Sequence, residues 1–170
     1  MRGYFGIGAE EISKPMNLGA LMRTAHAFGA SFFFTITAHP KVREAYNADT
    51  SRSFDHVPYY SWDNADALLL PKGCALVGVE LTDDAVELPR FMHPQAAAYV
   101  LGRERGSLSP GLIARCAHVV KIPTKFCVNV GLAGAIVMYD RLLALGGYPA
   151  RPIMPGGPPP EMTEAPRKRV

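Results

Sequence analysis

The sequence predicts an α/β fold: a mostly parallel sheet with helices on both of its faces. Short, almost continuous apolar runs such as "SFFFTITA" and "AAAYVLG" are too apolar for either side to face water. Runs with apolar residues at helical spacing alternate with them, the order expected of strands joined by crossover helices. With 170 residues, 48% hydrophobic and 19% charged, the chain is long enough to bury the core of one such domain.

In order, "YFGIGA" reads as a strand and "NLGALMRTAHAFGA" as a helix with Leu18, Leu21, Met22 and Ala25 on one face. "SFFFTITA" is a strand, and "HVPYYS" a short one. "SWDNADALLL" reads as a short helix with Ser61 as its N-cap. "CALVGVEL" and "AAAYVLG" are strands. "SPGLIARC" is a helix with Ser109 as N-cap and Pro110 at the first helical position. "AHVVKIP" is a strand, and "NVGLAGAIVMYDRLLAL" a helix stopped by Gly146 and Gly147. Residues 1–150 are expected to form the domain. Residues 151–170, rich in Pro and Gly and closing with "RKRV", are expected to be a flexible tail.

Composition excludes several classes. No apolar run reaches the roughly 18 residues of a membrane span, and the start shows no secretory pattern, so a cytoplasmic protein is expected. Cys74, Cys116 and Cys127 have no C-x-x-C spacing, which argues against a disulfide framework or a metal site. A net charge of +3 tolerates a nucleic-acid partner without demanding one.

Ligands of such sheets sit at the carboxyl ends of strands, and three polar islands follow apolar strands here. Asn17 opens a helix, as an N-cap or as a ligand-facing amide. Arg23 lies about 140° from Leu18 on a helical wheel, as a solvated residue or as a phosphate grip. "LGRERGSLS" places Gly102, Glu104 and Gly106 after a strand, without the spacing of a dinucleotide fingerprint. Ile122 and Pro123 end another strand, and Asn129 then opens a helix.

Together, "NLGALMRTAHAFGA", "LGRERGSLS" and "IPTKFCVNVGLAGAIVMYD" resemble, in order and spacing, the motifs of the SPOUT superfamily of RNA methyltransferases, in its SpoU (TrmH-like) branch of 2′-O-ribose methyltransferases. The resemblance runs from Tyr4 to Pro149, and the chain length is most similar to that of the minimal TrmL-type members. It implies a deep trefoil knot in the C-terminal part, S-adenosylmethionine as cofactor and a homodimer. By resemblance, cofactor contacts fall on Val79, Leu101, Gly102, Ile122, Pro123, Cys127 and Val128, and catalytic or RNA-positioning roles on Asn17, Arg23, Glu104 and Asn129. The sequence departs from the pattern at three positions: Cys127 and Gly131 replace serines, and Thr124 stands where Met is usual.

The implied reaction moves a methyl group from the cofactor to a ribose 2′-oxygen, in tRNA (near the anticodon) ahead of rRNA. An arginine pKa above about 12 makes Arg23 a poor base, so a phosphate-gripping or hydroxyl-orienting role is expected. Glu104 is expected to orient Asn17 or Arg23. Lys14, Lys41, Arg43, Arg52, Arg103, Arg105 and the tail are candidate RNA contacts. On the last helix, Gly131, Gly134 and Met138 lie away from the Leu132, Ile136, Tyr139 and Leu143 stripe, to pack on the sheet or to let a second copy approach. Two alternatives remain: a non-catalytic SAM- and RNA-binding dimer of this fold, and another α/β nucleotide-binding enzyme such as a transferase.

Overall fold

A computed structural model describes residues 3–42, 56–103, 106–148 and 155–156. Among the described residues, seven strands form one sheet: β1 (Tyr4–Glu10), β2 (Phe32–Ile36), β3 (Tyr59–Trp62), β4 (Ala75–Val79), β5 (Val86–Glu87), β6 (Ala96–Leu101) and β7 (His118–Lys121). Their order is β3-β2-β1-β6-β4-β7-β5, and every pairing is parallel. The chain runs outward from β1 to β3, jumps to β4, and returns at β6 to pair with β1. Strand direction of travel therefore reverses around β1 and β6, where parallel sheets open a crevice.

Among the described residues, α1 (Pro15–Ala27), α2 (Pro110–Arg115) and α3 (Val130–Ala144) pack on the sheet. Strand residues alternate between two cores. On one face Phe5, Ile7, Phe33, Val77, Tyr99 and Leu101 cluster with Leu18, Leu21 and Met22 of α1 and Val137 and Met138 of α3. Each fully buried leucine there contributes about 1.5–3 kcal/mol relative to an exposed one. On the other face Phe32, Phe34, Ile36, Leu76 and Val100 meet Leu68 and Leu112. Helices on both sides of a parallel sheet match the expectation from sequence.

Three local readings change. Residues 61–70 are not a helix: Ser61 lies in β3, in register with Thr35, and turns follow. Only Leu68 of the three leucines is fully buried, while Leu69 is exposed. Asn17 is not an N-cap, because Pro15 starts α1 and Lys14 occupies the cap position, with no side-chain capping bond to the first turn. The glycine face of α3 packs within the chain. A Cβ on Gly134 would stand 2.2 Å from Leu21 Cδ1, and one on Gly131 3.3 Å from Ala20 Cβ. The Leu132, Ile136 and Tyr139 side is the exposed one. Ser109 and Asn129, by contrast, cap α2 and α3 as read: Ser109 Oγ accepts from Leu112 N–H and Asn129 Oδ1 from Gly131 N–H.

At the amino ends of the strands, Arg141 of α3 is 2% exposed. Its guanidinium donates to the carbonyls of Pro94 (2.6 Å), Gln95 (2.7 Å) and Tyr4 (3.2 Å) and to Tyr99 Oη (3.1 Å). His93 bridges Tyr99 Oη and Asp140. Hydrogen bonds thus clamp α3 to β1 and β6 at one end, leaving its other end to shape the site.

Candidate active site at the carboxyl ends of the strands

A cavity of about 400 Å³ opens where β4, β6 and β7 end and α1 and α3 begin. That volume suits a nucleoside-sized ligand. The chain builds it by necessity of topology. It leaves β7 on the far side of β4, and α3 packs against α1 beside β1. Residues 122–129 must therefore cross the carboxyl ends of the intervening strands.

Of the residues expected to hold a cofactor, Val79, Leu101, Gly102, Ile122, Cys127 and Val128 line the cavity. Pro123 does not; it is exposed on the crossing segment. Asn17 and Asn129 line the cavity and meet each other: Asn129 Nδ2 donates to Asn17 Oδ1 at 3.1 Å. With Asn129 Oδ1 accepting the Gly131 N–H at 2.8 Å, both ends of that amide are engaged. Gly131 sits tightly behind it, since a Cβ there would lie 3.2 Å from Asn129 Oδ1. Arg23 is exposed on α1 and is not part of the wall. Glu104 lies outside the described residues, as do Arg43, Arg52, Arg105 and all but Pro155 and Gly156 of the 151–170 segment.

The two charged candidates for RNA contact that reach the cavity have different settings. Lys14 stands at the start of α1. Arg103 is tied to acids at the end of β1, at 3.0 Å from Glu11 Oε1 and 3.8 Å from Glu10 Oε2. Lys41 is exposed.

The carboxylates around this loop were not read from the sequence. Glu10, 3% exposed, accepts from Ser109 N–H (2.7 Å) and Ser109 Oγ (2.5 Å). Glu80, just past β4, accepts from Leu81 N–H (3.0 Å) and Leu108 N–H (2.8 Å). The segment that leaves β6 at Gly102 is thus held from β1 on one side and β4 on the other. Charge-assisted bonds of this kind are worth about 1.5–3 kcal/mol each when sheltered. The available signal was position: an acid directly after an apolar strand, at the end where ligands bind. Glu11 and Thr37 add local strain there, with φ of 47° and 53° immediately past β1 and β2.

The cysteines differ in character. Burial pushes the Cys116 thiol up to about 11 and raises Cys74 as well, which leaves both protonated. Cys127 is the exposed one and lies on the cavity wall. Among the described residues, no group of three His, Cys, Asp or Glu side chains is placed to hold a metal ion, and no helix is long and apolar enough to cross a membrane.

The profile of the SpoU rRNA Methylase family matches residues 5–139 of the chain. Among curated proteins, it is 27% identical over 148 residues to the tRNA (guanosine(18)-2′-O)-methyltransferase TARBP1 of Mus musculus, covering 78% of this chain and 9% of that protein. It is 25% identical over 136 residues to the tRNA (guanosine(18)-2′-O)-methyltransferase of Escherichia coli K12, covering 77% of this chain and 59% of that protein. The chain therefore spans only part of either relative. In fold it is similar to the SpoU methyltransferase AviRb of Streptomyces viridochromogenes in complex with AdoMet, with a TM-score of 0.72, 18% identity, and coverage of 84% of this chain and 58% of that one.

Proposed function

The chain belongs to the SpoU rRNA Methylase family, and from that premise we propose that it transfers a methyl group from S-adenosylmethionine to a ribose 2′-oxygen of RNA, with tRNA ahead of rRNA. The observation that carries the reading is the Asn17–Asn129 pair on the wall of a cavity edged by Val79, Leu101 and Ile122. Both curated relatives are named for guanosine 18 of tRNA, and a solved structure of similar fold concerns 2-OH methylation of C/U34 on tRNA, so the proposal keeps a ribose near the anticodon beside that of guanosine 18. A cytoplasmic location goes with a tRNA substrate.

The cavity fits the cofactor chemically. Val79, Leu101, Ile122, Val128 and Ala133 offer an apolar slot for a purine, and Lys14, Glu80 and Asn129 offer polar contacts at its margin. The cofactor, when bound, supplies a methyl group already activated on a sulfonium. The chain then has to orient the hydroxyl and exclude water, and positioning of this kind supplies up to about 7–11 kcal/mol in favourable cases. Asn129, held by its own helix and by Asn17, is the group whose orientation is fixed for that work. Arg23, exposed on α1, takes the role of gripping an RNA phosphate through its planar fork. Glu104 keeps its proposed part in orienting Asn17 or Arg23.

A second copy of the chain is proposed to cover the exposed side of α3. Leu132 is 61% exposed and Tyr139 46%, and Ile136 lies between them on the same helix. An apolar stripe of that kind marks an association surface. The deep knot is part of the same proposal, supported by the crossing of residues 122–129 between β7 and α3. Residues 1–150 are proposed as the methyltransferase domain.

Incubating the purified protein with tRNA, rRNA and S-adenosylmethionine, then digesting to nucleosides for mass spectrometry, tests the reading. A new 2′-O-methylnucleoside from tRNA is expected. SAM binding with no transfer to either RNA would favour the non-catalytic alternative, and no SAM binding would end both.

A further inference from the structure

Glu80 is the one acidic side chain among the described residues that line the cavity. It follows Val79, the last residue of β4, and stands beside Gly102, which follows the neighbouring strand β6. Two backbone donors fix its carboxylate, Leu81 N–H on Oε1 and Leu108 N–H on Oε2. They come from two different segments, so the head group is held at both oxygens. A carboxylate offers about four acceptor sites. Each oxygen therefore has capacity for one more donor.

Gly102 makes room for this arrangement. A Cβ there would lie 2.6 Å from Glu80 Oε2, so any side chain would push the carboxylate from its place. The wall beside it is apolar, from Val79, Leu101 and Ile122. A ligand that fills the cavity thus meets two adjacent, fixed acceptors next to an apolar slot. Two neighbouring hydroxyl groups next to a flat apolar ring match that pattern. A single ammonium matches it less well, because Lys14 already brings positive charge to the same wall.

We infer that Glu80 receives the vicinal 2′- and 3′-hydroxyls of the cofactor's own ribose. The inference rests on the proposed use of S-adenosylmethionine. It gives Glu80 two duties: it holds the segment after β6 through Leu108, and it selects a ribonucleoside ligand over a deoxyribonucleoside one.

Calorimetry on the full chain separates the duties. The probes are S-adenosylhomocysteine and its 2′-deoxy and 3′-deoxy forms. The proteins are wild type, Glu80→Gln and Glu80→Asp, each checked for folding by circular dichroism and thermal melting. Wild type is expected to bind the deoxy forms roughly tenfold more weakly than the ribo form, the scale of one hydrogen bond to a charged group. Glu80→Gln is expected to lose a similar factor on the ribo form and little more on the deoxy forms. Glu80→Asp keeps the charge but shortens the reach, and is expected to fall between. Wild-type affinity for the ribo form in folded Glu80→Gln would overturn the inference. So would an equal loss on ribo and deoxy forms, which would leave Glu80 only the Leu108 contact. If Glu80→Gln does not fold, equal wild-type affinity for ribo and deoxy forms overturns it alone. Wild type that binds none of the three would remove the proposed cofactor, and this inference with it.

Discussion

Asn129 donates a hydrogen bond to the carboxamide oxygen of Asn17 across 3.1 Å, joining two residues 112 positions apart in the chain. The same Asn129 accepts from Gly131 N–H and so caps α3. Cap and site are separable by substitution. Asn129→Asp retains the acceptor for Gly131 and loses the donor to Asn17. It is expected to melt close to wild type while methyl transfer falls at least roughly tenfold. Asn129→Ala loses both and is expected to cost about 1 kcal/mol of stability as well. Thermal melts beside a transfer assay read the two effects, and an Asp variant with full activity would remove the Asn17 contact from the mechanism.

Gly102→Ala places a methyl group 2.6 Å from Glu80 Oε2 and 3.4 Å from Leu108 N. The expected outcome is a displaced carboxylate and cofactor affinity reduced by roughly tenfold. Calorimetry with S-adenosylhomocysteine measures it, and unchanged affinity would mean that the Glu80 position does not matter to binding.

Arg141 is a matter of stability. Replacing it with Met leaves the carbonyls of Tyr4, Pro94 and Gln95 without their guanidinium donor. A loss of about 2–4 kcal/mol is expected in denaturant titration, with cofactor affinity of the folded fraction unchanged. A neutral result would show that the network is dispensable to the fold.

Acid should weaken the same end of the molecule. Burial holds the His93 imidazole below its ordinary 6.5, Arg141 adds to that, and Asp140 opposes it. The unfolded chain therefore binds the proton first as pH falls, and stability declines from about pH 6.5 downward until the folded pKa is passed. Above that window the group contributes no pH dependence. Melting temperature against pH for wild type and His93→Gln checks the sign: the variant is expected to have the flatter acid limb.

Leu132→Asp puts a charge in the exposed stripe of α3 without touching the core. Sedimentation at micromolar concentration is expected to give a dimer for wild type and a monomer for the variant. A monomeric wild type would contradict the proposed second copy.

Six of the seven strands were legible as short, mostly apolar runs, and α1 and α3 because their periodicity is clear; β5, only Val86 and Glu87, carries no such run and was not read. Periodicity tells that a face is apolar but not what covers it, which is why the α3 stripe was set opposite its glycines without a partner. The glycines turned out to be the buried side, since α1 approaches there too closely for a side chain, as the Gly134–Leu21 distance shows. Residues 61–70 misled because a serine before leucines has the form of a capped helix, while Ser61 is spoken for by register with Thr35. Asn17 misled by one turn, because Pro15 is the stronger start signal. Val79, Leu101, Gly102, Ile122, Cys127, Val128, Asn17 and Asn129, which the resemblance singled out, line the cavity, whereas Pro123 and Arg23 do not. Glu10 and Glu80 were not legible, because an acid after a strand reads as a solvated end until the fold brings a loop against it.

The proposed methyl transfer to a tRNA ribose at the Asn17–Asn129 site is open to one decisive assay. Its most direct measurement uses S-adenosylmethionine with a deuterated methyl group, purified tRNA, and mass spectrometry of the digested nucleosides. One 2′-O-methylnucleoside carrying the heavy methyl is expected with wild type, and far less with Asn129→Asp. Heavy methyl on a base, or none on tRNA ribose, would rule out ribose 2′-O transfer at this site.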